Sequence, residues 1–254
     1  PIDDLQRPAG VTAQRQRLLL EVANRLNRRH RQRFADQTQL EARIESLELA
    51  FRMQMAAPGV LSVDDEPAHV QSLYGMQHPT AKFFGRQCLI ARKLVESGVR
   101  FVQIYSGGTG NQASWDGHLN IDRNHRQFAL ETDQGIGGLL EDLKQRGLFE
   151  QTLVVCGGEF GRTSDSQGTG SGRDHNPNAF TWWFAGGGVK GGVHVGATDE
   201  FGYKAVENRH HIHDLHATIL HLAGFNHEAL TYRFNGRDFR LTDVEGEVIR
   251  ELLA

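Results

Sequence analysis

Thr152-Leu153-Val154-Val155-Cys156-Gly157-Gly158-Glu159-Phe160-Gly161-Arg162-Thr163 runs from a short apolar stretch straight into a glycine-rich turn that carries a carboxylate and a guanidinium. The apolar part is too short for a helix and rich in β-branched residues, so it reads as a buried strand. A carboxylate placed directly after it stands at the carboxyl end of that strand, where open α/β sheets carry their active loops. Two further clusters have the same character: Trp115-Asp116-Gly117-His118, and Gly172-Arg173-Asp174-His175-Asn176-Pro177. Eleven of the 29 glycines fall between Gly157 and Gly192, a density that points to tight turns or close backbone approach around a site.

The flanking sequence reads mostly as helix. Residues 12–33 place Leu18, Val22 and Leu26 on one face and a row of arginines on the other. A second helix is expected near 38–55, with Leu40, Ile44, Leu47 and Phe51 in register, ended by Pro58-Gly59. Residues 59–79 read as a loop with a short helix near 66–74. From residue 80 helix and strand alternate: helix 80–96 stopped by Gly98, strand 99–105, loop 106–120, and helix 121–146 stopped by Gly147. Strand 152–156 and strand 179–185 follow, then a hairpin-like stretch to residue 198. A last helix over 214–223 has Asp214 as its expected N-cap and Gly224 as its stop. Such alternation implies an α/β fold, a mainly parallel sheet flanked by helices, with an N-terminal helical extension over 1–79 and an α/β core over 80–254.

Composition narrows the classes. In 254 residues, 39% hydrophobic content supports a real core and argues against global disorder. The net charge of -3 drives neither nucleic-acid nor membrane binding. The basic face of the first helix lacks interleaved aromatics, so it reads as a solvated face rather than a nucleic-acid surface. No apolar run reaches the roughly 18–20 residues of a membrane span. Two cysteines, Cys88 and Cys156, cannot build a disulfide framework or a cysteine zinc site and read as small buried residues. The chain begins at Pro1 without an initiator Met or a signal peptide, which reads as a fragment of a longer protein.

Asp116, His118, Glu159, Asp174 and His175 are all competent metal ligands, and oxygen and nitrogen donors suit Zn, Mn or Mg-type ions. Singly, Asp116-x-His118 and Asp174-His175 are weak or ambiguous signals; Glu159 is stronger because it directly follows a buried strand, though it could equally pair with Arg162. Three loops on one presumed sheet edge, each with such a side chain, together point to a metal-dependent hydrolytic site. Arg162 and Arg173 suit an anionic group such as phosphate or sulfate, and equally suit neutralising the neighbouring carboxylates. The hydroxyls of Thr163, Ser164, Ser166, Thr169 and Ser171 offer nucleophiles, with none singled out. Five of the 13 histidines lie between His210 and His221. His216 and His221 fall on the face away from Leu215, Ile219 and Leu222, whereas His210, His211 and His213 precede the helix and can border a site. Trp182 and Trp183 read as core on one side of their strand and interface or pocket on the other.

Several runs in this sequence resemble the domain-of-unknown-function 1501 family: Phe51-Arg52-Met53-Gln54-Met55, Gly85-Arg86-Gln87-Cys88-Leu89, Val99-Arg100-Phe101-Val102-Gln103, Gly158 to Thr163, Gly172 to Pro177, and His213-Asp214-Leu215-His216-Ala217-Thr218-Ile219-Leu220. The resemblance spans the chain. It implies a sulfatase-like member of the alkaline phosphatase-like superfamily, a divalent metal (Zn, Mn, Ca or Mg) and an anionic phosphate or sulfate ester as substrate. By the same resemblance Asp116 and His118 hold one metal, Glu159 ends a second ligand strand, and His175 closes the site with Asp174 as ligand or orienter. Arg162, and Arg173 beside it, bind the ester oxyanion. Phe160 departs from the family superfamily's pattern, standing where a histidine ligand is expected. The nucleophile-bearing first strand has no counterpart, so the resemblance places this chain in the C-terminal part of a longer, exported or periplasmic protein. A dimer partner or the preceding segment would then cover the open sheet edge. The alternative implied by the same departures is a non-catalytic module that binds an anionic ligand such as a sulfated polysaccharide.

Overall fold

The computed structural model describes residues 10–33, 43–46, 51, 59–107, 114–166 and 170–254. The chain divides into two compact units, Pro1–Asp65 and Glu66–Ala254. In the first unit, α1 spans Ala13–Arg33 and keeps Leu18, Leu19, Val22 and Leu26 exposed. The helix expected over 38–55 lies largely outside the described residues; 43–46 and Phe51 are helical.

The second unit opens with a three-helix arrangement. Helix α2 (Ala68–Leu73), α3 (Lys82–Glu96) and α4 (Ile121–Gln145) pack through glycines. A Cβ on Gly85 would overlap the Tyr74 carbonyl, and one on Gly135 would come within 3.1 Å of the Gly85 Cα, so only glycine lets α3 and α4 cross this closely. Leu89 and Leu143 fill the contact from either helix. A charged cluster is buried with them. Arg92, 1% exposed, reaches Asp142 at 2.8 Å, Glu66 at 2.8 Å and Glu96 at 2.6 Å, and Tyr74 donates to Asp142 at 3.0 Å. Burial, then the Asp142 charge, pushes the Tyr74 phenol above its ordinary range, so it remains a donor.

The strand-forming part corrects the expected architecture. β1 (Val154–Gly157) pairs with β4 (Trp182–Ala185), but antiparallel, with Val155 opposite Phe184. β2 (Gly161–Arg162) pairs with β3 (His175–Asn176), β5 (Ala197–Thr198) with β6 (Ala205–Glu207), and β7 (Thr231–Phe234) with β8 (Arg237–Arg240), all antiparallel two-stranded ribbons. The mainly parallel sheet of alkaline phosphatase-like type is therefore overturned. The reason is topological. A parallel neighbour needs a crossover helix; among the described residues the segment between β1 and β4 holds the β2–β3 ribbon and no helix, so β4 returns antiparallel to β1. Helix α4 could serve as a crossover from 99–105 to β1, yet 99–105 joins no sheet among the described residues, and Phe101 and Tyr105 stand exposed.

The last helix, α5, runs Ile212–Leu222 with His211, not Asp214, as N-cap; Asp214 sits at the third position and completes a capping box by accepting the His211 N–H at 2.7 Å. Asn235-Gly236, both with positive φ, turns β7 into β8. Among the described residues no helix is long and apolar enough to cross a membrane.

Candidate metal centre

Three loop segments bring the candidate residues together. The loop before α4 carries Asp116 and His118, the turn after β1 leads into Arg162, and β3 begins with His175. Gly172 joins the first loop to the third: a Cβ there would overlap the His118 carbonyl oxygen. The Arg173 N–H donates to the Gly117 carbonyl at 2.9 Å. Ser171 seals the contact by accepting the Asn120 N–H at 3.0 Å and donating to the Asn120 side chain at 2.9 Å, which satisfies the exposed amino end of α4.

Trp115 fixes the approach of Asp116. Its backbone is left-handed, φ 50°, a conformation that is costly for a large residue. It is held there by its ring against Phe128 and His125, by its indole N–H donating to Ser106 at 2.8 Å, and by its carbonyl, which accepts from Arg162 at 3.4 Å.

Asp116, His118 and His175 meet at their tips. Oδ1 of Asp116 lies 3.1 Å from Nε2 of His118 and 3.1 Å from Nε2 of His175, and the two Nε2 atoms are 3.1 Å apart. Hydrogen bonds cannot satisfy this equilateral triangle. If both imidazoles donate to the carboxylate, two N–H groups face each other with no acceptor between them; if one accepts from the other, the carboxylate loses a donor. A cation bound by all three satisfies every edge. Ligand bonds of about 2.0–2.1 Å in a tetrahedron give ligand separations of roughly 3.3 Å, close to what is seen. The donor set of two imidazoles and a carboxylate therefore fits a Zn-type ion with an open coordination position.

Arg162 donates to Asp116 Oδ1 at 2.7 Å and to the Arg173 carbonyl at 3.2 Å. This hydrogen bond, reinforced by His175 and His118, holds the Asp116 carboxyl below its ordinary range despite partial desolvation. The pairing of Glu159 with Arg162 is not made. Glu159 is exposed and stands outside the cluster of ligand atoms. Asp174 accepts the His175 backbone N–H at 2.8 Å, so it fixes the main chain of β3 rather than an imidazole. Arg173 donates to the Gly172 carbonyl at 2.7 Å and borders a shallow cavity of about 380 Å³ with Ile121, Asp122, His125 and Arg126.

Phe160, expected as a departure at a ligand position, packs its ring 4.1 Å from that of His175 and so holds the imidazole from one side. The Thr163 hydroxyl donates to the Asp165 carbonyl, and the Ser171 hydroxyl is used on α4; Thr169 lies outside the described residues. His216 and His221 are exposed, as their helical face implied.

No curated protein and no solved structure matches the chain. A family model described as "Protein of unknown function (DUF1501)" matches residues 1–253. The chain thus belongs to the DUF1501 family.

Proposed function

We propose that this chain carries a metal-dependent site for the hydrolysis of phosphate or sulfate esters, with Asp116, His118 and His175 as metal ligands. The 3.1 Å triangle of their donor atoms carries the reading. A divalent ion held there would polarise the ester and lower the pKa of the attacking group. The protein's own contributions are separate. Arg162 keeps the Asp116 carboxylate charged and aimed, Phe160 braces His175, and the Gly172 contact sets the distance between the loops. Arg173, next to the loop that leads to His175 and bordering a cavity in which Arg126 is already paired with Asp122, supplies positive charge for the anionic oxygens of the ester.

The test is metal content after dialysis, followed by hydrolysis of p-nitrophenyl phosphate and p-nitrophenyl sulfate by the metal-loaded protein. The expected result is one tightly held ion lost in His118→Ala, with metal-dependent turnover of one ester. Unchanged occupancy in a folded His118→Ala variant overturns the ligand set.

A second reading, a non-catalytic module that binds an anionic ligand, is favoured by one observation: Thr163 and Ser171, hydroxyls beside the site, are both spent on backbone and capping contacts. Metal binding without turnover of either ester, together with binding of a sulfated oligosaccharide, selects it.

A further inference from the structure

We propose that His211, His213 and Glu245 form a second divalent-cation site, independent of the Asp116 triangle, that ties the segment after β8 to the start of α5. The three side chains bring one ligand atom each within 4.8 Å of the others. Oε2 of Glu245 lies 3.5 Å from Nδ1 of His213 and 3.8 Å from Nδ1 of His211, and the two rings meet edge to face with centroids 4.7 Å apart. These separations are too long for hydrogen bonds. They are close to the roughly 3.3 Å that separates ligands around a Zn-type ion.

The unsatisfied atom is Nδ1 of His213. It is buried and has no hydrogen-bond partner, and the carboxylate it faces stands beyond hydrogen-bond reach. A buried polar nitrogen left this way costs free energy, and a cation between it and Glu245 removes that cost. His211 Nδ1 is engaged only by the His213 N–H at 3.3 Å, a long contact. The amino end of α5 keeps its shorter cap bond, from the His211 N–H to Asp214, when that lone pair is given to a metal.

Glu245 is carried to this position by its neighbours. The Glu247 N–H donates to Asp214 at 2.8 Å, the Ile249 N–H donates to Thr218 at 2.9 Å, and Gly246 lies against the His213 carbonyl. The positive end of the α5 dipole opposes a cation here, and the carboxylates of Glu245 and Asp214 offset it. Two imidazoles and one carboxylate favour Zn, Co or Ni over Mg or Ca.

The experiment is equilibrium dialysis and cobalt(II) titration, followed by visible absorption, in His118→Ala, which silences the first triangle. The expected stoichiometry is one cobalt per chain, falling to none when Glu245→Gln is added. Glu245 is exposed, so Glu245→Gln leaves the fold intact even where His213→Ala does not. A folded His118→Ala protein that binds no cobalt, or one whose cobalt survives Glu245→Gln, overturns the proposal. The two sites fail separately: metal lost in Glu245→Gln but unaffected by His118→Ala would refute the Asp116 triangle and leave this site standing.

Discussion

Arg162 and His175 stand opposite each other across the β2–β3 ribbon, and both side chains end on the same oxygen, Oδ1 of Asp116. The ribbon is only two residues long on each side, yet it delivers a permanent cation and a metal-competent imidazole to one carboxylate. The consequence is that Asp116 is never without positive charge: the guanidinium balances it when the site is empty.

This balance has a pH signature. The folded-state pKa of Asp116 is depressed, mainly by Arg162. Its contribution to stability is therefore fully present above the ordinary value of 3.8 and is lost as the pH falls through the depressed folded value. In chelator, Arg162→Met should lower stability by roughly 1 kcal/mol at neutral pH, a modest figure because the pair is partly exposed. The difference between the two proteins should stay constant above about pH 5 and close progressively in acid. Parallel pH-dependent urea titrations measure it; a gap that does not narrow in acid removes the pair as its cause.

Phe160→Ala tests whether the ring at the departing position serves His175. The packed pair is worth about 0.5–1.5 kcal/mol beyond area burial. Loss of the support around a metal ligand typically lowers metal affinity by about 10–100-fold. Phe160→Leu should recover part of that affinity, since it restores bulk without the ring. Competition with a chelator of known affinity reads the effect, and an unchanged dissociation constant in Phe160→Ala would show that His175 is oriented by its backbone alone.

How far the sequence leads depends on whether a signal is local. The stops at Gly98, Gly147 and Gly224 appear as expected, each with positive φ just past its helix, because that geometry is set within a few residues. The strand expected over 152–156 does appear, as β1 over Val154–Gly157. Its partner's direction is non-local, and alternation of elements was a poor guide to it: nothing in residues 99–105 themselves reveals that they join no sheet among the described residues. Asn235-Gly236 lies between alternating residues and is a strong local hairpin signal that the sequence reading passed over. Asp116, His118 and His175 were legible as residue types in glycine-rich loops, and the structure brings their ligand atoms together. The sequence could not separate them from Glu159, because one residue of slack in a turn decides whether a carboxylate points inward. Arg92 gave no signal at all, since an arginine in a helix reads as surface and its partners Glu66 and Asp142 lie far off along the chain.

That hidden network carries a large stability effect. Arg92 is almost fully buried among three carboxylates, so Arg92→Met leaves Asp142 with Arg146 at 2.7 Å as its remaining cation and Glu66 with only the longer contacts to Lys93 and Arg146, at 3.7 and 3.8 Å. The expected cost is about 3 kcal/mol, the low end of the range for breaking a buried pair, because Arg146 still balances part of the carboxylate charge. The double variant Arg92→Met with Asp142→Asn should recover a substantial part. Chemical denaturation of both variants gives the comparison; a double variant less stable than the single one would mean that Asp142 acts mainly through Tyr74 and Arg146.

Gly172→Ala probes the join between the loops with the smallest change available. The added Cβ would overlap the His118 carbonyl, so the loop carrying Asp116 and His118 must move away from the loop leading to His175. Overpacking of this kind costs about 1–3 kcal/mol, and it should open two of the three edges of the ligand triangle. In the Glu245→Gln background, where only the Asp116 triangle remains, metal binding is therefore expected to fail while α3 and α4 remain folded, since their contact does not involve this glycine. Circular dichroism with metal analysis separates the two effects. Retained stoichiometric metal in Gly172→Ala with Glu245→Gln would show that the loops converge through Asp116 and Arg162 without the glycine contact, and the distance-setting role assigned to Gly172 would have to be given up.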